Sequence, residues 1–216
     1  MTRKLTLPDA LAEGPDGLLS APSATRNLGP ILDVLLPHLP RAGTVLELAS
    51  GTGQHIAALA AHRADLHFQP TEPDELRRNA IDARCRTIRN VGHAVALDVS
   101  RRGWGQRLSV EMVLTVNLLH LISEAEMAVL LDEAAAALVP GGVLAIYGPF
   151  LRGGETTSAG DAAFDASLRQ QDPAIGYKDD AILCSVLDAL GFKVDLREMP
   201  ANNLMVLAWK AGHRTI

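Results

Sequence analysis

The sequence predicts a doubly wound α/β fold: a seven-stranded, mostly parallel sheet with an antiparallel last strand and helices on both faces. Three observations predict it. From residue 44 onward, short β-branched and aliphatic runs alternate with stretches of helical periodicity, the pattern of repeated βα units. The run Val45–Leu48 passes into the small-residue turn Ala49-Ser50-Gly51-Thr52-Gly53 and then into a helical pattern, the strand–turn–helix opening of a nucleotide-binding βαβ unit. The last two runs, Phe192–Glu198 and Leu204–Trp209, are separated only by the stretch Met199-Pro200-Ala201-Asn202-Asn203, short enough to dictate an antiparallel hairpin.

The elements follow in order. Residues 1–22, punctuated by proline and glycine, read as a flexible N-terminal arm ahead of a single domain over 23–216. Ile31, Leu32, Leu35, Leu36 and Leu39 recur at helical spacing; Pro30 suits the first turn of that helix, with Ser23 and Thr25 ahead of it as candidate caps, and Pro37 and Pro40 end it. Strands are expected at Thr44–Leu48, Leu66–Pro70, His93–Leu97, Met112–Val116 and Val143–Tyr147, with helices over Thr52–His62 and Asp74–Arg84. Ser123 and Glu126 form a capping box for a helix that runs to Leu138 and is stopped by Pro140-Gly141-Gly142. A short helix is expected over Ala162–Arg169. Another begins near Asp179, with Ile182, Leu183, Val186, Leu187 and Leu190 on one face and Gly191 closing it.

Ligands of such sheets bind outside the carboxyl ends of the strands. That rule gathers Glu47–Gly53, Glu72, Asp98, Asn117–His120 and Tyr147–Phe150. The bulk numbers narrow the ligand. A net charge of −5 argues against a nucleic-acid backbone as the main partner. Two cysteines make no disulfide framework and fit a reducing, cytoplasmic setting. Met1–Gly14 has no apolar core, so no signal peptide is expected there, no apolar run is long enough to span a membrane, and no metal is expected.

A dinucleotide fingerprint wants a third glycine where this chain has Ile56. Glu47 places a carboxylate at the end of its strand, which attracts a sulfonium or ammonium and repels a pyrophosphate. Glu72 can accept from a ribose diol, and Asp98 is placed for an adenine amino group. S-adenosyl-L-methionine therefore fits better than NAD or FAD.

These residues carry a resemblance. Glu47-Leu48-Ala49-Ser50-Gly51-Thr52-Gly53, Glu72, Asp98 and Pro140-Gly141-Gly142 resemble the class I S-adenosylmethionine-dependent methyltransferases, which have a Rossmann-like fold. Ala49 stands where that superfamily usually has glycine, a change that fits if the residue keeps a negative φ. A narrower resemblance, covering the chain from about residue 20, is to the methyltransferase-like 26 family. It rests on Arg26-Asn27 with Pro30-Ile31-Leu32, Ala49–His55, Gln69-Pro70 with Pro73-Asp74, Leu97-Asp98-Val99, Asn117 and His120. It continues through Tyr147–Phe150, Phe164-Asp165 with Leu168-Arg169, Asp172-Pro173 and Met199–Asn203. Thr71-Glu72 replaces that family's usual Ser-Asp. The resemblance implies the fold and the cofactor, with S-adenosyl-L-homocysteine as product, and names no acceptor.

On this reading the cofactor contacts Arg26, Glu47, Ala49, Ser50, Gly51, Thr52, Gly53, Glu72, Pro73, Asp98, Val99, Asn117 and Leu118. His120 is the candidate base, placed after a strand end and near-neutral in its ordinary pKa; the alternative is a capping histidine. Tyr147 is a second candidate proton handler. It and Phe150 either wall an acceptor pocket or simply pack. Asp165 and Arg169, one helical turn apart, either face the acceptor or pair with each other. Asn202 and Asn203 either reach the acceptor side or serve the turn. Asn117-Leu118-Leu119-His120 lacks the prolines and aromatic of an adenine N-methyltransferase motif, which speaks against a flipped base as acceptor. The expected function is in-line methyl transfer to a small-molecule acceptor. The alternatives are a cofactor-binding scaffold without catalysis, or an RNA or protein methyltransferase.

Overall fold

The computed structural model of the chain describes residues 5–6, 11–13 and 18–212. The fold class is the expected one, mixed α/β with a seven-stranded, mostly parallel sheet that ends antiparallel. The chain divides into two compact units, Met1–Asp98 and Val99–Ile216.

In the first unit, β1 (Ala12–Glu13) and β2 (Leu19–Ser20) form a small antiparallel pair. Much of the rest of the expected arm lies outside the described residues. The first helix, α1 (Pro22–Leu35), starts two turns earlier than expected. Pro22 supplies the fixed φ of the first turn, and Pro30 sits inside the helix, where it removes the bond to the Arg26 carbonyl. Burial of Ala24, Ile31 and Leu35 along one face offsets that loss. Ser23, Thr25, Arg26 and Asn27 are therefore helical residues rather than the lead-in to a helix.

The next strand, β3 (Thr44–Leu48), is buried throughout after Thr44, as a parallel strand covered on both faces must be. It leads to α2 (Gln54–His62) and then to β4 (His67–Pro70), which pairs with β3 in parallel, Pro70 opposite Glu47. Asp74 caps α3 (Glu75–Cys85) by accepting the Arg77 N–H at 2.9 Å. The strand expected at His93–Leu97 is not formed; only isolated parallel bridges join Phe68 to Val91 and Thr71 to Val95. Side chains take the groups a ladder would use. Gln69 donates to the His93 carbonyl at 2.8 Å, and Asp82 accepts the Ala94 N–H at 2.8 Å. Val95 is 49% exposed, so no second buried face holds the segment extended.

In the second unit, β5 (Val110–Val116) runs through a 3₁₀ turn, Leu119–Leu121, to α4 (Glu124–Ala137). Both halves of the Ser123/Glu126 capping box are made. The following strand, β6 (Leu138–Leu151), starts where the helix ends and contains Pro140-Gly141-Gly142. Those residues bulge from the ladder: Val110 faces Leu138, yet Met112 faces Val143. Gly141, at φ +80, permits the bulge. The expected short helix is a full one, α5 (Ala159–Gln171), capped by Ser158 on the Asp161 N–H at 3.1 Å.

A strand the sequence did not suggest, β7 (Lys178–Asp179), pairs in parallel with the end of β6 and takes the place of His93–Leu97 in the count of seven. It runs into α6 (Asp180–Ala189), where Leu183 and Leu187 are buried but Ile182 is 57% exposed. The helix face is thus narrower than its apolar pattern. The hairpin of β8 (Phe192–Glu198) and β9 (Asn203–Lys210) is antiparallel as expected, and β9 also runs antiparallel to β6.

Candidate functional site

In the first unit, β3 carries Glu47 to a position only 1% exposed. Its main chain is anchored, the carbonyl accepting from the Thr71 N–H (2.9 Å), the Thr71 hydroxyl (2.8 Å) and the Ser50 hydroxyl (3.2 Å). Its carboxyl group is not, for Oε2 is buried with no hydrogen-bond partner among the described residues. Burial pushes the pKa up to about 8, the Glu72 carboxylate adding to the rise and the Ser50 side chain opposing it. Leaving such a group unpaired costs roughly 1–3 kcal/mol, so the atom marks a place that a ligand donor would satisfy.

The turn after β3 holds Gly51 at φ +60 and Gly53 at φ +76. The two glycines do different work. A side chain at Gly53 would press on the Ile81 backbone at 3.2 Å, so Gly53 seats the turn on α3. A Cβ at Gly51 would meet nothing within 4 Å among the described residues, so this backbone borders open space. Ala49 does not keep the negative φ expected of it but sits at φ 51. The adjoining hydrogen bonds impose this: Ser50 N–H donates to the Thr71 carbonyl at 2.8 Å and Gly51 N–H to Glu72 Oε2 at 3.0 Å. Glu72 is 3% exposed, and its other oxygen accepts the Asp74 N–H at 3.2 Å. Burial raises its pKa against those two amides. The acid expected to receive a ribose diol thus also grips the glycine turn. Pro73 offers its carbonyl to Arg78 at 2.7 Å, and Asp98 is half-buried.

The N-terminal segment is fastened to the same turn. Arg84 donates to the carbonyls of Thr52 (2.9 Å) and Leu19 (3.0 Å) and to the Ser20 hydroxyl (2.8 Å). Gln54 accepts from the Ala21 N–H (2.7 Å) and the Thr52 hydroxyl (2.9 Å) and donates to Thr25 (2.9 Å). His55 meets Asn27 at 2.8 Å, and burial lowers its pKa to about 4. Gln54 and His55 therefore position α1. Arg26 lines an open cavity with Ala12, Glu13, Ser20, Pro22 and Thr25.

The second unit gathers a different cluster. The 3₁₀ turn buries His120 to 6% exposure. Its ring contacts Phe164 and Tyr177 edge-on, at centroid distances of 5.7 and 6.1 Å, and those two contact each other at 6.0 Å. Burial lowers the His120 pKa to about 3, with the Lys178 cation assisting and Asp165 opposing. The near-neutral imidazole expected from the sequence is thus not what this environment provides. Asp165 and Arg169 pair at 2.8 Å, and both hold the backbone of Tyr177: Asp165 accepts its N–H at 2.6 Å, and Arg169 donates to its carbonyl at 3.3 Å. Asn202 donates to Asp161 at 3.0 Å, while Asn203 closes its own turn on the Pro200 and Ala201 carbonyls at 3.1 and 3.3 Å. Phe150 is 1% exposed and Tyr147 3%; Phe150 packs the core instead of walling a pocket. Asn117, at φ 56, donates its N–H to the Tyr147 carbonyl at 2.8 Å. Leu118 is half-buried and Val99 buried. Tyr177, Lys178 and Asp161 belong to this cluster and were not singled out from the sequence; the one local signal was Gly176, directly before Tyr177.

Residues 19–211 match the family model described as "Protein of unknown function (DUF938)". The chain belongs to that family. Among solved structures, this DUF938 chain resembles an O-methyltransferase family protein from Burkholderia thailandensis, with a TM-score of 0.77 and 19% identity over 89% of this chain and 58% of that one. It resembles the S-adenosylmethionine-dependent methyltransferase SibL with a TM-score of 0.71 and 19% identity, over 88% and 56% of the two chains. It also resembles human N-acetylserotonin methyltransferase, solved in complex with SAM, with a TM-score of 0.65 and 12% identity over 78% and 47%. At these identities the likeness shows the fold. The DUF938 chain spans about half the length of each of these proteins.

Proposed function

We propose that the chain is an S-adenosyl-L-methionine-dependent methyltransferase, of the methyltransferase-like 26 kind, that passes its methyl group in line to a small-molecule acceptor. The observation that carries this reading is the buried Oε2 of Glu47, which has no partner among the described residues, in the same strand–turn as the open backbone of Gly51. An acid held protonated by burial, with a second buried acid nearby, is an arrangement that a cationic ligand relieves. A phosphate would aggravate it. The fold shared with the S-adenosylmethionine-dependent SibL and with human N-acetylserotonin methyltransferase, solved with SAM, supports the same reading.

When bound, the cofactor supplies a methyl group on a sulfonium, already activated for displacement. Glu47 would hold its ammonium, Glu72 its ribose hydroxyls and Asp98 its adenine amino group. Ser50, Thr52 and Pro73 would line the same cradle. The protein's remaining work is to orient the acceptor and exclude water. His120 is neutral at physiological pH and too weakly basic to store a proton. It acts as a hydrogen-bonding group.

Isothermal titration with S-adenosylmethionine and S-adenosylhomocysteine tests the first step, and saturable heat is expected from both. No heat and no thermal shift at millimolar ligand would overturn the proposal. Labelled methyl transfer into metabolite extracts tests the second. Binding without transfer to any small molecule would favour a scaffold, and label in RNA or protein would change the acceptor class.

A further inference from the structure

We propose that Tyr177 and His120 form an acceptor subsite for an uncharged aromatic hydroxyl, a ligand of the phenol class. The inference rests on the methyltransferase reading and names the acceptor chemistry of that enzyme.

The first observation is how much of the second unit is spent on holding Tyr177. Asp165 and Arg169 grip its N–H and carbonyl. Gly176, at φ +131, lets the backbone pass so close to them that a side chain there would lie 2.6 Å from Asp165 and 2.8 Å from Arg169. Gly176 N–H donates to the His120 carbonyl at 3.1 Å. Lys178 reaches back to the carbonyls of Ile122 and Gly176, at 2.7 Å each. The loop bearing Tyr177 is thus laced to the turn bearing His120. A residue fixed at both backbone groups and at its ring is pre-organised in the manner of a binding group.

The second observation is what the two side chains leave unspent. The Tyr177 hydroxyl donates its proton to Asp161 at 3.2 Å, so its oxygen remains an acceptor. Asp161 is itself fixed by the hydroxyls of Thr157 and Ser158 and by Asn202. Among the described residues, neither ring nitrogen of His120 has a hydrogen-bond partner, and neither is a fully enclosed orphan. A neutral imidazole offers one donor and one acceptor. Together the pair can take the proton of a ligand hydroxyl and give one to its oxygen.

The third observation sets the charge and shape of the ligand. The charged groups around the pair are already engaged: Asp165 with Arg169, Asp161 with four donors, Lys178 with two carbonyls. What remains to face a ligand is neutral and aromatic, with half-buried Phe164 completing the edge-to-face set. Flat rings pack against such edges.

The test uses the whole chain labelled with ¹⁵N-histidine. The side-chain signals of His120, assigned with a His120→Asn variant, are followed during titration with phenol, benzoate, benzylammonium and cyclohexanol. Phenol is expected to shift them saturably. The two charged rings and the saturated alcohol should bind at least about tenfold more weakly, and Tyr177→Phe should weaken phenol about fivefold, the share of one neutral hydrogen bond. No saturable shift, an equal response to benzoate or benzylammonium, or unchanged affinity in Tyr177→Phe would overturn the inference. The comparison among probes needs no variant and so does not depend on how well one folds. S-adenosylhomocysteine titrated into the same sample separates the failures. Its binding without a phenol response sinks this inference alone, whereas its absence sinks the methyltransferase reading.

Discussion

Glu47 combines two properties that conflict at neutral pH, near-complete burial and a carboxyl oxygen with no partner among the described residues. The folded chain holds its proton up to about pH 8, whereas the unfolded chain releases it near 4.5. The resulting stabilisation is complete below pH 4.5 and is lost as pH rises through 8. The gap corresponds to on the order of 5 kcal/mol. Urea titrations of the ligand-free protein should therefore show stability falling between pH 5 and 8.5, and Glu47→Gln should flatten that fall. A cationic ligand reverses the preference by drawing the carboxylate into its charged form. Affinity for S-adenosylmethionine should then rise from pH 6 to 8, with proton release visible as buffer-dependent calorimetric heat. A second residue-scale prediction concerns Ala49. At φ 51 its Cβ costs roughly 1–2 kcal/mol, and glycine gives back part of that in unfolded-state entropy. Ala49→Gly should stabilise the fold by about 0.5–1 kcal/mol in a denaturant melt, and a loss would show that the turn does not strain alanine.

Elements were legible where one periodicity and one cap agreed. The helix opened by Ser123 and Glu126, and the hairpin strand Phe192–Glu198, carry their boundaries in adjacent residues. Proline misled twice for the same reason: its local preference is weaker than tertiary burial. Pro30 is absorbed by a helix whose apolar face is buried, and Pro140 by a bulge whose neighbours on both sides are paired. His93–Leu97 is reduced to a bridge at Val95, with side chains from Gln69 and Asp82 taking the His93 carbonyl and the Ala94 N–H, a competition between residues far apart in sequence. The same distance hid the Tyr177 loop. Its motif residues Asp165, Arg169 and Asn202 were visible, but what they hold was not. Gly176 makes that loop testable. An added Cβ meets both partners of an ion pair at a φ that disfavours it. Gly176→Ala should destabilise by roughly 2–3 kcal/mol, and ¹⁵N-histidine spectra should show His120 displaced. A wild-type melt with unmoved His120 signals would mean the loop does not depend on that close approach.

For the whole molecule, the comparisons and the sequence agree at the level of fold, and the DUF938 match spans residues 19–211. The proposed cofactor cradle was readable in the sequence because it is local: the end of β3, its glycine turn and Glu72 are adjacent in the chain or one βα unit apart. The cluster around His120 and Tyr177 was not, because its groups come from four segments whose meeting no short pattern encodes. Ligand linkage gives the cradle a global readout. A ligand that binds only the folded chain adds about 2.7 kcal/mol at a hundredfold excess over its Kd. For a protein of 216 residues that amounts to roughly 5–10 °C in Tm. S-adenosylhomocysteine should produce such a shift in calorimetric scans of the wild type. Gly51→Val is the decisive control, because its side chain would strain a φ of +60 while its Cβ meets nothing within 4 Å among the described residues. The variant should melt somewhat lower without ligand, by about 1–3 kcal/mol of backbone strain. It should also show no ligand shift, since the new methyl groups occupy the open space beside the turn. A full ligand shift in Gly51→Val would mean that this space is not where the cofactor lies.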